Sequence, residues 1–300
     1  MCGIVGLLVR DPALEPSLGA LVAPMVAAMG ARGSDSTGIA VYRSPDAGRC
    51  RVSLQRRPEA GPAWDALATA LGDPAGPLGD ATLSCDGDAA WLSSPATLEV
   101  TLAAVRHLEP AVRVAGYGHA VEVIKDVGPG EDVCRRYHLD QRRGYLALGH
   151  TRMATESAVT SVHSHPFVPA ADLCVVHNGS FSNHATVRRR LEAGGVRFDS
   201  DNDSEVAAHF LAQRLAAGDD LEQAVRWMTK ELDGFFTLGI TTAESLVVVR
   251  DAVACKPAVI AETERYVAVA SEYRALAHLP GIESARVFEP SPEEIYLWTR

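Results

Sequence analysis

The sequence has no CxxC pair, no excess of basic residues, no apolar run of membrane length and no internal repeat. Each absence removes a class of protein. The six cysteines, Cys2, Cys50, Cys85, Cys134, Cys174 and Cys255, are scattered without zinc-site spacing, so no metal site is expected and the thiols read as reduced and cytoplasmic. All but Cys2 read as small hydrophobes. A net charge of -10 repels phosphate backbones and anionic membrane surfaces, which argues against nucleic acid as a partner. The apolar stretch Ile4 to Val9 has no basic segment before it and no A-x-A site after it, so neither an export signal nor a membrane span is expected. No G-x-G-x-x-G or P-loop motif is present either, so nucleotide chemistry is not expected in this chain.

What is present is a 300-residue chain, 47% hydrophobic, able to bury a substantial core. Cys2 to Val9 reads as a strand and Ser17 to Met29 as a helix that breaks at Gly30 and Gly33. Ile39 to Arg43 and Arg51 to Gln55 read as a hairpin across the turn signals Ser44 to Gly48. From about 58 to 139, Pro and Gly clusters and a helix around Thr97 to His107 suggest an insertion into one domain spanning 2–300. Beyond it come strands at Tyr145 to Gly149 and Leu173 to His177, then helices at Asn183 to Ala193, Ser204 to Leu215 and Leu221 to Leu232. A meander rich in Val, Ile and Thr closes the chain over Phe235 to Ala270. Helices and antiparallel strands occur in blocks, which favours an α+β layered fold.

Cys2 is distinctive by position. If Met1 is removed, one residue carries both a thiol and a free α-amine, whose ordinary pKa values near 8.5 and 8 let the amine take the thiol proton. Four further motifs follow: Arg32-Gly33-Ser34-Asp35-Ser36-Thr37-Gly38, Gly149-His150-Thr151-Arg152-Met153-Ala154-Thr155, His177-Asn178-Gly179 and Asp203-Ser204-Glu205-Val206. Taken in order, this set resembles the class II glutamine amidotransferases, a branch of the N-terminal-nucleophile hydrolases. The resemblance implies the four-layer αββα sandwich of those enzymes and glutaminase activity at Cys2. Chemically, Arg152 suits the α-carboxylate of L-glutamine because a guanidinium grips it through two parallel bonds, and Asp203 suits the α-ammonium. The family uses its matching residues in those roles, and Thr155 would add a hydroxyl contact. Attack on the side-chain amide builds an oxyanion, for which Asn178 and Gly179 are the family's donors. Arg32 and Asp35 would sit in a loop closing over the nucleophile.

Structural readings stand beside these. Arg32 and Asp35 could form an ion pair within their turn, Asp203 could cap the helix that follows, and Asn178-Gly179 is a common turn dipeptide. His163-Ser164-His165 has metal-like spacing but no third ligand nearby in the sequence, which favours a structural loop. The segments Arg250-Asp251, Lys256-Pro257 and Ser271-Glu272 resemble the family's closing strands. Within the family the chain looks most like stand-alone glutamate-synthase-type amidotransferase subunits, a group that includes the one found in N-methylglutamate synthase. That implies partner subunits similar to the remaining parts of glutamate synthase, with FMN and iron-sulfur groups on them and no cofactor in this chain. An independent N-terminal-cysteine amide hydrolase and a non-catalytic regulatory subunit are the alternatives.

Overall fold

The computed structural model describes residues 2–57, 64–73, 75–108, 111–154 and 158–300. Met1, the Pro-rich start of the expected insertion and Thr155 lie outside them. The chain begins β1 (Gly3–Val9), α1 (Leu18–Ala28), β2 (Ser36–Tyr42), β3 (Cys50–Arg56), α2 (Trp64–Leu71), β4 (Thr82–Asp86), β5 (Ala89–Ser94) and α3 (Leu98–Arg106). It continues β6 (Val112–Gly118), β7 (Val121–Val127), α4 (Gly130–Arg136), β8 (Leu146–Arg152), β9 (Phe167–Ala170), β10 (Leu173–Phe181), α5 (His184–Ala193), α6 (Asp203–Ala216) and α7 (Leu221–Glu231). It closes with β11 (Gly234–Thr241), β12 (Ser245–Arg250), β13 (Val259–Glu262), β14 (Tyr266–Ala270), β15 (Arg286–Phe288) and β16 (Ile295–Thr299).

Three antiparallel sheets result, in the orders β15-β13-β14-β1-β8-β2-β7, β16-β12-β11-β10-β9 and β4-β5-β3-β6. The first two stack face to face, and strand parity shows how. In β1, Val5, Leu7 and Val9 face α1 and α4, while Ile4 and Leu8 face the second sheet. In β10, Cys174 and Val176 point back at Ile4 and Leu8, while Leu173 and Val175 pack on α5, α6 and α7. Both faces of each sheet are therefore covered, which is why these strands are nearly continuous apolar runs rather than alternating ones. The layers are helix, sheet, sheet, helix, as the resemblance implied. Tyr42 pins the two sheets together, its hydroxyl lying 2.8 Å from Thr241 Oγ1.

The third sheet is an accessory layer with its own core of Val52, Leu54, Leu67, Leu71, Leu92, Val105 and Val112. Three expectations need correction here. β2 and β3 do not form a hairpin: β2 pairs with β7 and β8, whereas β3 pairs with β5 and β6. The accessory sheet consequently starts at Cys50 and ends at Gly118, and β7 and α4 belong to the core rather than to an excursion running to 139. The closing meander is also split, since β11 and β12 lie in the second sheet and β13 and β14 in the first. Turn chemistry marks where a strand ends and says nothing about which distant strand it meets.

Candidate active site

Cys2 enters at the start of β1, and neighbouring atoms press closely on the first residues. A Cβ on Gly3 would lie 2.7 Å from Met29 Cβ and 2.8 Å from Thr151 Oγ1, so only glycine lets the strand pass. Arg32 donates from Nε to the Cys2 carbonyl at 2.9 Å and from Nη1 to Glu272 at 2.8 Å. Arg32 and Asp35 do not pair with each other among the described residues. Asp35 instead accepts the Ala154 amide at 2.8 Å, and its own amide donates to the Arg152 carbonyl at 3.0 Å. The loop carrying both residues is thereby tied to the end of β8 and to the Cys2 backbone. Glu272, read from the sequence only as part of a supporting segment, is the residue that anchors Arg32.

The Cys2 thiol is half-buried, with Sγ 4.0 Å from the Met153 carbonyl. Burial pushes it above its ordinary value, against the pull of the Arg152 and Arg32 guanidinia. Left alone, such a thiol stays protonated near neutrality and needs a base. Arg152 is buried at the end of β8, and Nη1 donates to the Ala158 carbonyl at 3.2 Å. Burial lowers its affinity for the proton, and the charges of Cys2, Asp35, Asp201 and Asp203 act in the opposite sense. Cys2, Arg152, Asp35 and Asp203 thus share one electrostatic neighbourhood. Thr155 lies outside the described residues.

The end of β10 supplies the other wall. The amides of residues 177, 179 and 181 point away from β11, because the opposite residue Phe236 gives its N–H to Asp251 and accepts from the Asp251 amide. His177 N donates to His165 Nδ1 at 3.1 Å and Phe181 N to Asp203 at 2.9 Å. The Gly179 amide between them has no acceptor among the described residues. Gly179 adopts φ +155, and a Cβ there would fall 2.0 Å from the Phe235 carbonyl. Beside it, Asn178 is buried and its Nδ2 has no hydrogen-bond partner among the described residues. An unpaired donor in a buried place, as Asn178 Nδ2 is, costs a fold unless it waits for an acceptor, and the exposed Gly179 amide lies beside it.

Three histidines brace this pair from behind. His150 Nε2 donates to the His177 carbonyl at 2.9 Å, and the His150 ring stacks on His165 at 4.0 Å. Both peptide groups flanking the start of the donor pair are therefore held by side chains, which fixes the Nε2–H tautomer of His150 and leaves His165 Nδ1 as an acceptor. Burial lowers the pKa of His150 to about 3 and takes His165 well below the usual imidazole range. Both rings are neutral. The sequence favours a structural loop for His163 and His165 despite their metal-like spacing, and the two rings diverge: His163 reaches Asp201 at 2.8 Å while His165 turns inward. Among the described residues no cluster of three or more His, Cys, Asp or Glu could hold a metal ion.

Asp203 is the first residue of α6, and the cap is Asn202, whose side chain accepts the Ser204 amide at 2.9 Å. With the capping role taken, the Asp203 carboxylate is free to face the site. It accepts from Phe181 N and, at 3.1 Å, from Ser204 Oγ. The His177 ring reaches Ser204 Oγ at 2.8 Å and stands 3.7 Å from Asp203 Oδ1, an electrostatic contact rather than a hydrogen bond. Burial raises the Asp203 carboxyl, and the His177 contact with the two donors outweighs it, holding the group down at about 2. The carboxylate is ionised, as partnership with an ammonium requires.

A glutamine amidotransferase domain model matches residues 150–278, from the strand of Arg152 to the segment of Glu272. The glutamine amidotransferase-like protein GlxB of Rhizobium meliloti is 47% identical over 300 residues, which cover 99% of this chain and 98% of that protein. A putative glutamine amidotransferase of Methanothermobacter thermautotrophicus is 31% identical over 309 residues, 99% of each. Among solved structures, glutamine phosphoribosylpyrophosphate amidotransferase from B. subtilis superposes with a TM-score of 0.63 at 17% identity, over 99% of this chain and 47% of that one. At that identity the likeness speaks for the fold.

Proposed function

This chain belongs to the glutamine amidotransferases, and we propose that it is one of the class II, N-terminal-nucleophile branch, which hydrolyses L-glutamine at Cys2 and passes the ammonia to separate synthase subunits. Removal of Met1 gives Cys2 an α-amine that takes the thiol proton. The thiolate attacks the side-chain amide carbon, and the oxyanion that forms is met by Asn178 Nδ2 and the Gly179 amide. As the tetrahedral adduct collapses, the C–N bond breaks, the proton goes to the leaving nitrogen and a thioester remains. Water attacks the thioester through the same donors, releasing glutamate and regenerating the thiol. Arg152 holds the α-carboxylate of glutamine and Asp203 its α-ammonium. Thr155 adds a hydroxyl, while Arg32 and Asp35 hold the nucleophile loop.

The observation that carries this reading is the side-by-side placement of two unpaired donors, Asn178 Nδ2 and Gly179 N, at the end of a strand braced by His150 and His165. Donors fixed before the charge develops need no rearrangement when it does, and each contributes about 10²- to 10³-fold in rate. Treatment with 6-diazo-5-oxo-norleucine should add mass to a peptide beginning at Cys2. An unmodified Cys2, or Met1 retained in active protein, overturns the mechanism.

The rest of the assignment rests on the motifs this chain shares with stand-alone glutamate-synthase-type amidotransferase subunits. On that reading the acceptor chemistry lies on other polypeptides, resembling the separate parts of glutamate synthase. FMN or iron-sulfur groups would then reside on those partners and none on this chain. No helix among the described residues is long and apolar enough to cross a membrane. Affinity purification from the native organism should bring down synthase-like subunits. A chain that purifies alone, with glutaminase activity indifferent to its genomic neighbours, counts against delivery.

A further inference from the structure

A cavity of about 710 Å³ lies at the seam between the accessory sheet and the sandwich, walled by β6, β7, β9 and α6. Lys125, on β7, reaches it from within the protein. It is 8% exposed and makes no hydrogen bond or ion pair among the described residues, resting only over the Phe167 ring with Nζ 5.2 Å from its centroid. The buried carboxylate that lines the same cavity makes its hydrogen bonds elsewhere. Glu205 accepts the Asp199 amide at 2.8 Å and the Ser200 amide and hydroxyl at 2.8 and 2.6 Å. Burial pulls Lys125 down to about 8, which leaves it mostly protonated at neutral pH. A buried ammonium without an anion destabilises a fold, and a ligand anion would supply the missing partner.

The mouth of the cavity repeats the pattern. Arg57, Arg106 and Arg197 line it, all exposed, and none makes a side-chain hydrogen bond or ion pair among the described residues. Elsewhere most arginines of this acidic chain are matched to Asp or Glu, as in Arg51 with Asp46, Arg56 with Asp88 and Arg214 with Asp219. One carboxylate, Asp199, stands at the rim. Unmatched cations gathered around a concave surface, on a protein of net charge -10, form a local field that draws in anions the rest of the surface repels.

We propose that this cavity binds a small organic polyanion, a phosphorylated or multiply carboxylated metabolite, with Lys125 as its buried counter-ion and Arg57, Arg106 and Arg197 at the entrance. The site is separate from Cys2 and from the donor pair on β10. Its readout is binding in the absence of glutamine, so its failure would leave the glutaminase reading untouched.

Isothermal titration of the full-length protein with inorganic pyrophosphate and, separately, with citrate tests this at about 0.15 M salt, where loose surface attraction is screened. At least one probe should bind with one-to-one stoichiometry. Pyrophosphate alone identifies a phosphate ligand, citrate alone a polycarboxylate, and both together a site that reads charge. Lys125→Met keeps the volume and removes the charge, and should weaken binding by roughly ten- to a hundred-fold, the worth of one charged hydrogen bond. Arg197→Glu changes only an exposed side chain and should also weaken binding, which decides the matter if Lys125→Met does not fold. Failure of both probes to bind the native protein overturns the proposal. So does an affinity left unchanged by the substitutions.

Discussion

At Asn178 the chain accepts a local cost, a buried side-chain N–H group without an acceptor among the described residues, and that cost predicts how a substitution there will behave. Asn178→Ala removes an unpaired donor, so the fold should keep its melting temperature while kcat for glutamine falls about 10²- to 10³-fold with KM little changed. An unaltered kcat would mean the oxyanion forms elsewhere. Arg152→Lys acts on the other parameter: a point-charge ammonium cannot reproduce a two-bond grip on a carboxylate, so KM should rise about ten-fold or more. Equal KM values would remove Arg152 from the substrate site. Both residues stand out in the sequence because they sit in short motifs whose chemistry is specific. The braces behind them do not. His150, His165 and Ser204 lie in motifs the sequence shows, but nothing there gives them a bracing role, and only long-range pairing of β8, the 163–167 segment and α6 with β10 brings them to His177. Glu272 became the partner of Arg32 by the same kind of distant meeting.

Elements differ in how much of themselves they announce. The helices were legible because apolar spacing along a helix is local, and α1, α5, α6 and α7 fall close to the ranges read from it. Strand partners were not, since nothing within β2 says that β7 rather than β3 lies beside it. Where β8, β9 and β10 meet, that pairing buries two neutral histidines, with a consequence for acid stability. His150 and His165 have folded pKa values lowered from 6.5, His150 to about 3. Between those values the unfolded chain binds protons that the folded one refuses, so stability falls as pH drops below about 6.5 and is flat above it on their account. Each ring contributes up to about 1.4 kcal/mol per pH unit. Asp203, lowered from 3.8 to about 2, adds its own loss only below about 3.8. Denaturant midpoints measured from pH 7.5 down to 5 should therefore decline, and less steeply in His165→Gln if that variant folds. A flat profile would mean the rings are not buried as described.

For the whole molecule the accessory sheet is the informative part, because the chain leaves and re-enters the sandwich at one point. Tyr42 and Val121 are paired neighbours on β2 and β7, and the Arg43 amide donates to the Ala120 carbonyl at 3.0 Å. Replacing residues 44–119 with an Asn-Gly turn should close β2 and β7 into a hairpin and leave a cooperative fold that still hydrolyses glutamine. It should also abolish polyanion binding, since β6 forms one wall of the cavity. Loss of glutaminase activity in a folded excision variant would show that the accessory layer takes part in catalysis. The position of β1 has a further consequence, in time rather than in space. β1 is gripped on one side by β8 and on the other by β14, which is synthesised almost a full chain length later. At about 5–20 residues per second, that delay is on the order of tens of seconds. Throughout it the segment holding Cys2 has no β14 edge to join, so enzymes that trim nascent chains would meet it before the sandwich can close around it.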